Sequence, residues 1–341
     1  MRISVAKRYG TLALLAIAIL FPLVVQREYF IYVMTLGYIW AISVYGMNLL
    51  AGYTGQLSLA HAGFFAIGAY ATGILTVKAQ VPFWPALLLG CIITAIIGFF
   101  VGLISLRTKE HYFAIFTLCV GFILFLLIER WDELTEGVRG LIGIPYPGAI
   151  GPITFESVTS QYYLVLFFLV LTIFVIYRIV NSLVGRSFIA IRNSEELAQT
   201  IGIHLMKNKL LSFVISTFFA GLAGGLYASF VRFLGPGIGN ITVTFDMLTY
   251  LLVGGIGSMA GPLIGTLLIT WITQSLQFLQ DYRMIIFGPI LVLLIIYMPY
   301  GIVGAARTLW AKYKLRKALP PEMKAPAVKE SLQQVEEGSK S

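Results

Sequence analysis

Long runs without a single charge constrain this chain more than any other feature. Thr11 to Val25, Phe83 to Leu106, Tyr163 to Tyr177, Leu210 to Phe230 and Met284 to Tyr297 contain no Asp, Glu, Lys or Arg. They fall in or near the length class that crosses a bilayer core of about 30 Å. Inside lipid every backbone amide must find a partner within the protein, and consecutive apolar runs joined by short turns satisfy that demand as helices. The sequence therefore predicts an all-α, polytopic membrane helix bundle. Composition agrees: 58% of residues are hydrophobic and 11% are charged, against about 25% charged in a soluble domain. A water-soluble globule, a disordered chain and a disulfide scaffold are excluded together.

Spans are expected near residues 9–26, 30–51, 56–76, 84–106, 111–128, 161–180, 209–230, 241–257, 262–280 and 284–303. This gives about ten transmembrane helices, or eight if the Gly-rich stretch around Gly257 to Pro262 is re-entrant. With both termini cytoplasmic, 18 of the 24 Lys and Arg residues fall on the cytoplasmic side, as the positive-inside rule requires. The net charge of +9 is thus read as topology and not as a nucleic-acid surface. The N-terminal run lacks a small-x-small cleavage site and is read as the first span. Residues 1–305 form one membrane domain, with an external Gly- and Pro-rich loop over 129–160 and a cytoplasmic loop over 181–208. The basic tail over 306–341 has too few apolar residues to fold and is expected to be solvated or to lie on the membrane surface. Cys91 and Cys119 lack any CxxC partner and read as buried small hydrophobes.

Chemistry is sparse within the spans. A proton- or sodium-coupled carrier keeps ionisable groups near the membrane centre, and the central candidate is His61, with Gln56 and Ser58 nearby. Two readings stay open for this trio: an interior, hydrogen-bonded cluster, or the lining of a polar translocation path. No HExxH, GxSxG or GxxxxGK[ST] motif is present, so no catalytic residue, metal ligand or bound cofactor is expected and the chain has no phosphate loop of its own. Small residues recur at helix-packing intervals, as at Gly98 and Gly102 or Gly221 and Gly225, and predict close helix approach. In the cytoplasmic loop, Asn193 as N-cap with Glu196 at the third helical position and Gly202 as stop predicts a two-turn helix over Ser194 to Ile201. Ser194, Ala198 and Gly202 lie on one face, beside Leu197 and Ile201. The helix either folds against its own chain or docks a soluble partner.

Four segments, in order, carry a family resemblance: NLLAGYTGQLSLAHAGFFAIGAYATG from Asn48, GLIGIPYPG from Gly140, GRSFIAIRNSEELAQTIGI from Gly185 and LLVGGIGSMAGPLIGT from Leu251. They resemble the permease subunits of branched-chain amino acid ABC importers, of the LivM-like type, over about residues 30–305. The resemblance implies that Arg192, Asn193, Ser194, Glu195, Glu196, Leu197, Ala198, Ile201 and Gly202 form an ATPase coupling helix, Ala198 and Gly202 standing at the family's small positions. It implies as partners a second homologous permease subunit, ATP-binding subunits and an extracytoplasmic solute-binding protein, within a bacterial or archaeal inner membrane. The chain would form half of a translocation path and leave ATP hydrolysis to its partners. The charged segment Leu134 to Arg139 departs from the family pattern, so the implied solutes are leucine, isoleucine and valine, with other neutral amino acids, amides or urea in range. The alternative from another class is a secondary carrier or channel for a small neutral solute, which would work without an ATPase.

Overall fold

The computed structural model describes residues 5–25, 27–108, 110–152, 154–275, 301–306 and 308. The described chain is mostly helical. Five of its helices are long and apolar enough to cross a membrane: Glu28–Tyr53, Phe83–Ser105, His111–Arg130, Val158–Val180 and Leu205–Val231. Most of the expected span near 284–303 and the tail over 309–341 lie outside the described residues, as do the ends of the spans expected near 9–26 and 262–280.

The chain order is α1 (Val5–Val24), α2 (Glu28–Met47), α3 (His61–Val77), α4 (Phe83–Ser105) and α5 (Glu110–Arg130). A short α6 (Asp132–Thr135) and strand β1 (Leu141–Ile142) follow, then α7 (Val158–Val180), α8 (Leu183–Asn193), α9 (Glu195–Thr200) and α10 (Leu205–Val231). Strand β2 (Phe233–Leu234), α11 (Ile241–Gly254) and α12 (Gly261–Ser275) complete it. Helix α10 is the centre of the bundle and packs chiefly against α3, α4 and α2. The expected close approaches are present. A Cβ on Gly68 of α3 would run into the backbone of Gly221 on α10, and one on Gly98 of α4 would run into Thr217. Small residues here replace the absent hydrophobic drive between helix and lipid by permitting tight backbone contact.

The span expected at 56–76 starts later than the apolar pattern suggests. Helix α2 runs on into a π-helical turn, Asn48–Tyr53, and residues 55–60 are non-helical until α3 begins at His61. A 17-residue α3 rises about 25 Å, somewhat less than a bilayer core. In the non-helical piece before it Thr54, Gln56, Ser58 and Ala60 are buried, whereas Gly55 and Leu57 are exposed. Cys91 is buried as expected, but Cys119 lies on the exposed face of α5. A lipid-facing surface is as apolar as a core, so hydrophobicity alone could not separate the two.

The two ends of the bundle are stitched separately. At one end Leu141 pairs with Leu234 and Ile142 with Phe233 in an antiparallel ladder. There Trp84 Nε1 donates to Gly148 O at 2.9 Å, and the Arg232 guanidinium stacks over the Tyr146 ring at 4.2 Å. At the other end sit the π turn, the residue 54–60 segment, α8 and α9.

Candidate functional site

Helix α8 owes its place to one apolar face. Gly185, Phe188 and Ile191 are buried, and Phe188 packs with Leu49 and Tyr53 of the π turn. Ser182 caps its start by accepting from Gly185 N. Helix α9 is capped by Ser194, whose Oγ accepts from Leu197 N at 3.2 Å. Asn193, expected as the cap, is instead the last residue of α8. With the cap moved by one residue the third helical position is Leu197, so Glu196 cannot close a capping box. The stop is as expected: Gly202 has φ +85°, Gly202 N donates to Gln199 O and Ile203 N to Ala198 O, both at 3.0 Å. That pair of bonds is a Schellman motif, which only a residue at ease in the left-handed region closes cheaply.

Of the small residues on α9 and at its ends, Ala198 turns inward, while Ser194 is half-buried and Gly202 is exposed. Ala198 is 1% exposed, whereas Leu197 and Ile201 are 65% and 67% exposed. Leu183 at the start of α8 is also exposed. The surface offered to the outside therefore includes the apolar pair Leu197 and Ile201 among the polar Glu196, Gln199 and Thr200, and Ala198 seats the helix on its own chain.

Charged and amide groups tie this hairpin to the broken part of the bundle. Arg192 Nη1 donates to Gly52 O at 2.7 Å. Glu195 Oε1 accepts from Gln56 Nε2 at 3.2 Å and from Lys209 Nζ at 2.5 Å. Lys209 is on α10 with its side chain 7% exposed, so Glu195 supplies the counter-charge that a buried ammonium needs. On the neighbouring side Asn48 Nδ2 donates to Ser258 O at 3.0 Å, and Gly257 N donates to Asn48 Oδ1 at 2.8 Å. The turn between α11 and α12, which falls in the Gly-rich stretch around Gly257 to Pro262, thus closes onto the same π turn.

Gln56, Ser58 and His61 are brought together along one buried segment. Gln56 faces Glu195, Ser58 Oγ accepts from Ala60 N at 3.4 Å, and His61 Nε2 is 3.0 Å from Ser43 O. Side chains from other helices satisfy the backbone of the same segment: Leu59 N donates to Thr117 Oγ1 on α5 at 3.0 Å, and Ala62 N to Thr244 Oγ1 on α11 at 3.1 Å. Among the described residues, none of the trio lines the cavity of about 260 Å³ that opens between α2, α10, α11 and α12. Asp246, which does line it, was not singled out by the sequence reading. The signal was there to use: an acid at the sixth position of the otherwise uncharged run Ile241 to Gly254.

A family described as branched-chain amino acid transport system / permease component matches residues 29–295. The high-affinity branched-chain amino acid transport system permease protein LivM of Salmonella typhimurium is 30% identical over 327 residues, covering 89% of this chain and 76% of that protein. The permease protein LivH of the corresponding Escherichia coli system is 25% identical, covering 79% of this chain and 92% of LivH. An archaeal relative from Methanocaldococcus jannaschii, a probable branched-chain amino acid transport permease protein LivM, is 24% identical over 64% of this chain and 68% of its own length. No solved structure matches the chain.

Proposed function

The chain belongs to the branched-chain amino acid transport permease family, and from that premise we propose that it is a membrane-spanning subunit of an ATP-driven importer for branched-chain or related neutral amino acids. It forms half of a translocation path with a second, homologous permease. ATP-binding subunits supply the hydrolysis, and an extracytoplasmic binding protein delivers the solute. The pairing is supported by similarity to both LivM and LivH proteins, two permeases of one kind of system. The chain crosses the inner membrane about ten times, with both termini and the α8–α9 hairpin on the cytoplasmic side and the loop over 129–160 outside. The clustering of Arg186, Arg192, Lys207 and Lys209 around that hairpin supports this orientation.

The observation that carries the proposal is the construction of the hairpin. Its outer surface presents Leu197 and Ile201 to the aqueous phase, an unfavourable exposure for a short helix unless a partner covers it. Its inner surface is bonded to the break between α2 and α3 through Arg192 and Glu195. A push on α9 is therefore delivered directly to backbone that is already non-helical. Gln56, Ser58 and His61 hold that break in place. A secondary carrier has no use for such a lever.

Proteoliposomes holding the two permeases and their ATPases test the reading. Leucine uptake should require both the binding protein and ATP. In a background lacking Cys91 and Cys119, a cysteine at Ser157 should react with an impermeant reagent from the binding-protein side and one at Ser194 should not. Uptake that proceeds without any ATPase would place the chain among secondary carriers or channels.

A further inference from the structure

Helix α12 starts from a turn whose backbone is held by a single side chain of the π turn. Asn48 is fully buried at the start of the π turn, and its amide makes two bonds to the turn between α11 and α12. Nδ2 donates to Ser258 O at 3.0 Å, and Oδ1 accepts from Gly257 N at 2.8 Å. Asn181, Asn208 and Asn240 instead bond within four residues of their own positions, the ordinary use of an asparagine at a helix end. Asn48 reaches backbone 209 and 210 positions away. It offers that backbone one donor and one acceptor, as a neighbouring peptide group would.

The surfaces around this clamp are in direct contact. A Cβ on Gly52 would run into the Asn48 amide and into the backbone of Gly257. One on Gly257 would meet the Arg192 guanidinium at 2.8 Å, and one on Gly55 would meet the Arg192 side chain at 3.2 Å. Gly55 and Gly257 also hold φ of +79° and +71°, which glycine adopts at little cost. Arg192, already bonded to Gly52 O, therefore passes between the π turn, the segment after it and the α11–α12 turn. That last turn is braced in its own right. Ser258, whose carbonyl Asn48 holds, accepts through Oγ from Gly261 N at 3.0 Å, and Gly261 is the first residue of α12. Tyr45 Oη adds a bond to Met259 O at 2.8 Å. Hydrogen bonds and close backbone contacts thus run without a gap from the last turn of α8 to the first turn of α12.

We infer that Asn48 is a positioning residue of the transport cycle: its amide makes the start of α12 follow the α8–α9 hairpin, so that a displacement of α9 moves the α11–α12 turn together with the break between α2 and α3. The inference rests on the importer reading for the source of that displacement. Contiguous bonded and packed groups of this kind are what can carry coupling between distant sites. The helices joined by the clamp, α2, α11 and α12, are also walls of the cavity of about 260 Å³, so the hairpin is linked to more than one side of that space. An apolar side chain at position 48 would leave Gly257 N and Ser258 O without these partners. Unpaired groups in a buried turn are costly, and the two turns would then be free to move apart.

The test is the distance distribution between paired spin labels in the detergent-purified permease complex, in a background lacking Cys91 and Cys119. Cysteines at Gln199 on α9 and Ile256 in the α11–α12 turn, both exposed, report the clamp. Gln199 paired with the exposed Ile142 at the other end of the bundle is the control. Without nucleotide, the first pair should give a narrow distribution in the parent and one at least two-fold wider in Asn48→Leu, with the control width unchanged. In the reconstituted importer, leucine uptake per ATP hydrolysed should fall at least ten-fold in the same variant while hydrolysis continues. Asn48→Ala, which leaves space where leucine may misfit, takes over both measurements if Asn48→Leu does not assemble. Unchanged widths, or uptake per ATP within two-fold of the parent, overturn the inference while the importer reading stands. Equal widening of the control pair assigns Asn48 to general stability and overturns it as well. If uptake by the parent needs no ATP, the importer reading fails, and the nucleotide-free widths alone decide whether the turn follows the hairpin.

Discussion

The two ends of this bundle are both cross-linked, but by different means. At the α9 end the links are buried or half-buried and run between membrane helices and the hairpin: Lys209 to Glu195, Glu195 to Gln56, and Arg192 to Gly52. At the opposite end the charged link is a surface staple, the Lys78 ammonium reaching Glu133 O at 2.6 Å and the Glu136 carboxylate at 2.7 Å, while the buried links are neutral: Tyr70 Oη donates to Leu234 O at 2.9 Å beside the β1–β2 ladder. Buried charges in low dielectric are held in one arrangement because leaving either unpaired is expensive, whereas exposed pairs contribute little and are screened by salt. One end is thus held through buried charge, and the other through neutral packing with its charge at the surface.

The largest departure is expected from Glu195→Ala. It strands the Lys209 ammonium among apolar helices, and with Glu195 itself one-third exposed the cost is about 3 kcal/mol, at the low end for a broken buried pair. Thermal melting of the purified complex reads this. Replacing both partners with neutral residues, Glu195→Gln with Lys209→Met, should recover much of the loss because no charge is then left unpaired. A single variant that melts like wild type would remove the contrast between the ends.

Arg192→Ala comes next. It deletes one charge-assisted hydrogen bond to Gly52 O, worth about 1.5 kcal/mol, and frees the π turn from the hairpin. Hydrogen exchange should rise at residues 52–56 and stay unchanged at 141–142 and 233–234. Equal changes at both sets would mean that the two ends are not separate units.

The smallest effect is expected at Lys78→Ala. Hydrogen bonding and then charge attraction from Lys78 hold the Glu136 carboxyl below the usual carboxylate range. A group depressed on folding contributes stability above its unfolded value, near about 4.3, and that contribution is lost as pH falls through the folded value. Wild type and variant should therefore differ slightly at neutral pH in low salt and converge in acid or at high salt. A difference that persists at low pH would assign the effect to the bond from Lys78 to Glu133 O, which does not titrate.

Much of this arrangement could be read from the chain before its structure. The five long spans were legible because uncharged runs admit few other fates, and Gly202 was legible as a stop because glycine readily takes the left-handed conformation that follows α9. The break before α3 was visible only as the polar residues Gln56, Ser58 and His61. Polarity does not reveal whether such groups face a path or, as Gln56 does, bridge to another helix. The face of α9 could not be assigned because a six-residue helix offers its small side and its apolar side to either neighbour. Ala198 went inward, since a methyl fits where Leu197 would not. Asp246 was legible but passed over, because it stands near the start of its apolar run.

The central claim is that the exposed apolar pair of α9 receives the motion of an ATPase. The most direct test is ATP-driven leucine uptake by the reconstituted importer carrying Leu197→Asp together with Ile201→Asp, with retention of the ATPase subunit followed through purification. Both positions are solvent-facing in this chain, so folding and membrane insertion should survive, while two charges buried without partners in a dry interface should expel the partner. The account predicts at least a ten-fold fall in uptake and loss of the ATPase from the purified complex. Uptake within two-fold of wild type with the ATPase retained would contradict it.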